Sequence, residues 1–177
     1  MVIQSRIFIA KDGRQIVIRS IRWEDLDGAI EFINSLADEG FETAQRVTRS
    51  EEADWLGKRL ARREKGELIE AVAEVDGKVV ANSEVEKRTG AMSHLGYLGV
   101  AIIPGYRGIG IGTELMKVLI EEARLAGLKV LFLDHYETNK AARGLYEKVG
   151  FKEAGRIPKA IHRDGTYVDL VRMVLEL

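Results

Sequence analysis

Cysteine is absent from the 177 residues. Its absence excludes disulfides, thiolate metal sites and any mechanism built on a cysteine nucleophile. There are only two prolines and no stretch rich in proline or serine, so nothing reads as a linker and a single domain over residues 1–177 is expected. No apolar run approaches the roughly 20 residues of a membrane span, and the first ten residues lack the pattern of an export signal. An excess of one charge is missing too. Lys and Arg number 27 against 28 Asp and Glu, a net charge of −1, which leaves no basic footprint for nucleic acid or a membrane surface. The reading is a cytoplasmic protein without a metal. Asn and Gln are scarce, three of each, beside abundant Glu, Lys and Arg, a composition found in heat-tolerant proteins.

What is present is patterned. Asp12-Gly13, Asp76-Gly77 and Asp164-Gly165 each separate β-rich runs, as primed hairpin turns require. They predict antiparallel pairs of Ile7–Ala10 with Ile16–Arg19, Leu68–Val75 with Lys78–Glu86, and Ala154–His162 with Thr166–Glu176. A further strand is expected from about Ser93 to Ile103, ending at Pro104. Apolar residues at three- and four-residue spacing predict helices through Leu26–Ala37, from the Thr48/Glu51 capping box through Leu60, and through Leu115–Ala126. Leu128–His135 reads as a strand buried on both faces, and Asn139–Val149 as a fourth helix. The order predicts an α/β (mixed α+β) fold: a mixed, mostly antiparallel sheet flanked by about four helices.

Between the Ser93–Ile103 strand and the third helix lies Pro104-Gly105-Tyr106-Arg107-Gly108-Ile109-Gly110-Ile111-Gly112-Thr113. Glycines let a ligand approach the backbone, a helix start supplies unpaired amides with positive potential, and Arg107 adds a permanent charge suited to phosphate. A tight structural turn is the plain alternative. A P-loop fails, because Thr113-Glu114 follows Gly112 where Lys-Ser/Thr is needed. A dinucleotide turn fits partly, with Asp134 at the expected distance for a ribose, but Thr113 stands where the third glycine belongs.

Two blocks of this sequence carry a resemblance. Arg107-x-x-Gly110-x-Gly112 is similar to the Arg/Gln-x-x-Gly-x-Gly/Ala motif of the GCN5-related N-acetyltransferase (GNAT) superfamily. Asn139-x-x-Ala142-x-x-Leu145-Tyr146-Glu147-Lys148-x-Gly150-Phe151 resembles that family's downstream helix. The element order matches as well, so the resemblance covers nearly the whole chain.

The resemblance implies acetyl-CoA as cosubstrate and an amine as acceptor, with a homodimer also allowed. It places the pantetheine arm on the backbone of Val100, Ala101 and Ile102. It puts the pyrophosphate on the amides of Gly108, Ile109, Gly110, Ile111, Gly112 and Thr113, with Arg107 at the entrance. Asn139 resembles the family's pantetheine contact, and Tyr146 the group that hydrogen-bonds the sulfur and protonates the leaving thiolate. Seven residues, about two helical turns, separate the pair, so both are expected on one face. Core packing is the alternative for Tyr146 and for the side chains of Val100 and Ile102. Direct attack by an amine agrees with the missing cysteine, but an alkyl amine with a pKa near 10.4 needs a base. The family's strand position for a Glu base holds Gly96 here. The candidates are Glu84, Asp134, which aligns with a Glu of ribosomal-protein alanine acetyltransferases, and His94, in that order. Each could equally be a paired or solvated polar group. The acidic stretch Asp38, Glu39, Glu42, Glu51 and Glu52 suits a cationic amine, although a solvated helix start would explain it too. The acceptor is left open. A noncatalytic acyl-CoA-binding module is the main alternative, and a nucleotide-binding oxidoreductase a distant one.

Overall fold

A computed structural model describes residues 2–41, 44–163 and 165–177. Among them eight strands form one sheet: β1 (Arg6–Ile9), β2 (Gln15–Arg19), β3 (Leu68–Val75), β4 (Lys78–Lys87), β5 (Leu95–Ile102), β6 (Val130–Tyr136), β7 (Lys152–Arg163) and β8 (Thr166–Glu176). Their order across the sheet is β1-β2-β3-β4-β5-β6-β8-β7. Every neighbouring pair is antiparallel except β5 and β6. That parallel pair needs a crossover, which α3 (Ile111–Leu125) provides. The other helices are α1 (Leu26–Asp38), α2 (Arg49–Glu64) and α4 (Lys140–Lys148). The α/β architecture read from the sequence is the observed one.

Local chemistry explains several boundaries. Thr48 and Glu51 form the expected capping box, with Thr48 N donating to Glu51 Oε2 at 2.8 Å, and α2 begins at the next residue. Arg19 at the end of β2 grips both oxygens of buried Asp25 at 2.7 Å, fixing the chain just before α1. Removing one partner of such a buried pair costs about 3–5 kcal/mol. The first two Asp-Gly turns close antiparallel hairpins, but only Asp76-Gly77 is a primed turn; at Asp12-Gly13 the glycine alone has positive φ, in a longer loop where Ala10 N donates to Arg14 O. Asp164 of the third lies outside the described residues, as does Glu42 of the acidic stretch.

Strand alternation assigns the two faces of the sheet. Ile102 meets the start of α3, and on that side α3 and α4 cover Leu98, Leu131, Leu133 and Met173. On the other side Arg59 of α2 reaches Glu70 and Glu84, so α1 and α2 cover β3 and β4 there. The expectation that β6 is buried on both faces needs correction. Leu131, Leu133 and His135 are buried, whereas Val130, Phe132 and Asp134 are only half-buried. The α1–α2 pair sits over β3 and β4 rather than β6, so Phe132 packs instead against the Tyr97 ring at 5.3 Å and the guanidiniums of Arg88 and Arg172.

Candidate active site

β5 and β6 run side by side only at their start. Leu95, Gly96 and Tyr97 pair with Val130, Leu131 and Phe132, and then the pairing stops, although β5 continues to Ile102 and β6 to Tyr136. Backbone bonds fix which peptide groups face the gap. Leu95 O accepts from Arg88 N, and Ile103 N donates to Val80 O. Odd-numbered peptide groups of β5 therefore turn to β4, and those of Leu98, Val100 and Ile102 turn to the gap. Such an unpaired edge offers donors and acceptors to an extended, amide-bearing ligand. Ala101 differs from Val100 and Ile102: it lies opposite Asn82 with its peptide groups toward β4, leaving only its methyl group on the α1–α2 side.

The glycine turn adjoins the open end of this gap. Gly108 and Gly110 have φ of 76° and 108°, a backbone region that favours glycine, and α3 starts directly after Gly110. A Cβ on Gly112 would lie 2.9 Å from Leu145 Cδ2 and 3.1 Å from Ile102 Cδ1, so glycine is what lets β5, α3 and α4 converge. Ile109 O accepts from Lys11 N at 3.0 Å, tying the turn to the β1–β2 hairpin. A hollow of about 170 Å³ beside Gly110 and Thr113 is lined by Lys11, Lys117 and Lys148 and by Glu114, which accepts from Lys117 Nζ at 2.8 Å. These lysines come from a hairpin and two helices, so no local spacing in the sequence announces them. Ile111 is buried in the core. The Arg107 side chain is committed: its Nε donates to Ile102 O at 2.7 Å and its terminal nitrogens to the Glu39 carboxylate. The guanidinium holds Glu39 below the usual carboxylate range.

Tyr146, on α4, is 7% exposed, with its ring 5.8 Å from His135 and 6.3 Å from Phe151. Burial, reinforced by the nearby Tyr97 phenol, pushes its pKa up to about 12. Tyr97 stands on the opposite face, at the last paired position of β5. His135 was not foreseen. It lies on β6, buried; its Nδ1 sits 2.9 Å from Tyr136 O and so carries the proton, while Nε2 has no partner among the described residues. Asn139 stands at the start of α4 as its N-cap, accepting from Ala142 N at 3.1 Å, and is exposed where Tyr146 is buried.

The three base candidates are far from equivalent. Glu84 lies opposite Gly99, where a Cβ would come within 3.8 Å of its Oε1. Burial raises its pKa, opposed by the charge and hydrogen bond of Arg59. Asp134 has both oxygens held by Arg172 at 2.8 Å. His94 precedes β5 at the closed end, exposed, six residues or about 20 Å of strand from Val100. At Gly96 a Cβ would lie 2.4 Å from Val85 Cγ1 and 2.9 Å from Leu131 Cδ2, so no carboxylate fits on that buried face.

A family model described as "Acetyltransferase (GNAT) family" matches residues 29–151. The chain belongs to the GNAT acetyltransferase family. An uncharacterized N-acetyltransferase of Methanocaldococcus jannaschii is 32% identical to this GNAT chain over 144 residues, 77% of this chain and 60% of the relative. A probable N-acetyltransferase, camello, of Xenopus tropicalis is 35% identical over 94 residues, 52% of this chain and 43% of the relative. The matches thus span less than two thirds of these relatives' own lengths. A putative acetyltransferase of Salmonella typhimurium, solved with its cofactor acetyl-CoA, shares the fold with a TM-score of 0.77 at 24% identity, over 91% of this GNAT chain and 93% of its own. Among the described residues no helix is long and apolar enough to cross a membrane, and no three His, Asp or Glu side chains cluster as metal ligands would.

Proposed function

We propose that this GNAT member transfers the acetyl group of acetyl-CoA to a primary amine by direct attack at the β5–β6 gap. The observation that carries the reading is the edge of β5 past its pairing with β6, where Val100 has no strand partner on that side and Ile102 O meets only Arg107, flanked by the glycine turn at one end and Tyr146 toward the other. That edge fits an extended amide-bearing arm, and the amides from Gly108 to Thr113 with Lys11, Lys117 and Lys148 fit phosphates. Bound acetyl-CoA supplies an activated acyl group, the thioester.

The amine enters from the α1–α2 side, where Glu84 faces Gly99. As an ammonium ion it has no lone pair, so a proton must leave before the nitrogen attacks the carbonyl carbon. Glu84 takes that proton, directly or through water: Arg59 holds its Oε2 while Oε1 faces Gly99, whereas Arg172 holds both oxygens of Asp134 and His94 lies beyond the closed end. As the new N–C bond forms, the C–S bond breaks and its electron pair passes to sulfur. The Tyr146 hydroxyl, with no hydrogen-bond partner of its own among the described residues, donates to that sulfur. A phenol raised to about 12 holds its proton firmly, so it stabilises the thiolate by hydrogen-bond donation, and any proton it passes to sulfur is replaced by the second proton that the nitrogen loses on becoming an amide.

A thiol-release assay over a panel of amines tests the reading. Release that requires an amine supports it. Binding of acetyl-CoA without release for any amine would favour a noncatalytic acyl-CoA module instead.

A further inference from the structure

Beneath α1 and α2 a cleft of about 430 Å³ opens onto the sheet, with an apolar wall that includes Phe32, Ile33, Trp55 and Val72, and Asn82 at its floor. Glu52 of α2 also lines it. Glu52 is only 5% exposed, and its carboxylate accepts no hydrogen bond from any described residue. The other described acids of this region are engaged: Asp38 with Arg46, Glu39 with Arg107 and Glu51 with Thr48.

The cations of this region are also committed: Arg46, which lines the cleft, holds both oxygens of Asp38. Arg59 donates to Glu70 at 3.0 Å and to Glu84, and its guanidinium lies 4.6 Å from the Trp55 ring centroid. Arg63 reaches Glu70 as well. Three carboxylates, Glu52, Glu70 and Glu84, thus share two guanidiniums, leaving one negative charge unmatched when Glu52 is ionised. A buried carboxylate without a hydrogen bond or a matching charge costs stability, and a cation entering the cleft would reverse that cost. Burial accordingly raises the Glu52 pKa, with only the Arg59 charge opposing.

The cleft leads toward the reaction centre. Asn82 and Glu84 are two residues apart on one face of β4, roughly 7 Å. Glu52 and Arg59, whose guanidinium meets Glu84, are two turns apart on α2, about 10 Å along its axis.

We propose that Glu52 is a specificity-determining cation site and that the acceptor is an aliphatic diamine or polyamine. One nitrogen is attacked beside Glu84 while a second, charged nitrogen pairs with Glu52 and the methylenes lie against the apolar wall. The assignment of the attacked nitrogen rests on the transferase reading; the cation site rests on the surroundings of Glu52.

Calorimetry on protein saturated with coenzyme A, titrated with hexane-1,6-diamine and with hexylamine, tests the site without catalysis. The diamine should bind about tenfold more tightly, and Glu52→Gln should abolish that preference. Asp54→Asn, the same charge change at an exposed position of α2, should preserve it. In turnover, Glu52→Gln should raise KM for the diamine about tenfold and leave kcat within about twofold. Equal binding of the two amines, a preference that survives Glu52→Gln, or a neutral amino acid outcompeting the diamine overturns the proposal. If Glu52→Gln does not fold, Glu52→Asp should move the preference toward longer diamines, and an unchanged length preference overturns it equally. Diamine binding as expected without thiol release would leave the cation site standing and defeat the transferase reading.

Discussion

Arg107 clasps the carboxylate of Glu39 with its terminal nitrogens while its Nε holds the carbonyl of Ile102. The residue expected at the phosphate entrance is therefore already neutralised, and the glycine turn is tied to the end of α1. A phosphate and Glu39 compete for the same guanidinium fork. Glu39→Gln should tighten coenzyme A binding about two- to fivefold, and Arg107→Ala should weaken it. Both effects should shrink at high salt, because the groups are exposed enough to be screened. Calorimetric affinities at two salt concentrations check this; an unchanged affinity in Glu39→Gln would mean that Arg107 does not serve the phosphates.

Tyr146→Phe removes one hydroxyl from a buried ring and keeps its packing against His135 and Phe151. A decrease in kcat of about 10- to 100-fold is expected, with coenzyme A affinity little changed. With the phenol pKa pushed up to about 12, the wild-type rate should show no loss from Tyr146 ionisation up to pH 10. Steady-state kinetics of the variant and an alkaline pH profile measure the two effects.

Glu84 gives the acid side of the profile its sign. A base works deprotonated, so kcat/KM should fall as pH drops through the Glu84 pKa. Burial raises that pKa, so the midpoint should lie above the ordinary 4.5. In Glu84→Gln the limb should disappear and the plateau drop about 100- to 1,000-fold. Asp134→Asn should leave the limb in place, since Asp134 is bound to Arg172 rather than to the acceptor. A limb that follows Asp134 instead would move the base there.

Gly144 sits inside α4, and beyond its two chain neighbours and the backbone of its own helix no described atom lies within 4 Å of the place a Cβ would occupy. Two residues before Tyr146, it lies about 200° around the helix, away from the gap. Gly144→Ala should stabilise the fold by about 0.5–1 kcal/mol and raise Tm by about 1–4 °C, with coenzyme A affinity unchanged. A thermal melt with and without coenzyme A checks both parts.

Much of this was legible in the sequence because the signals are local. Asp-Gly turns, the Thr48/Glu51 box and apolar periodicity place the elements, and the two GNAT-like blocks place the gap and its tyrosine helix. What the sequence hid depends on topology. Lys11, Lys117 and Lys148 converge only once the β1–β2 hairpin, α3 and α4 are assembled. The His135 acceptor is isolated by burial, which its position between Asp134 and Tyr136 does not reveal. The capping role of Asn139 toward Ala142 N was not announced by its spacing from Tyr146. In the acidic stretch, composition could not tell paired Asp38, Glu39 and Glu51 from unmatched Glu52.

The most direct measurement follows the acetyl group itself. The protein is mixed with acetyl-CoA labelled in its acetyl carbon and an amine panel that includes hexane-1,6-diamine, and the products are read by mass spectrometry. The expected result is label on the amine, equimolar with released thiol, none on the protein, and a sharply lower rate in Tyr146→Phe. Acetyl-CoA that binds while every amine stays unlabelled would contradict acetyl transfer at the β5–β6 gap.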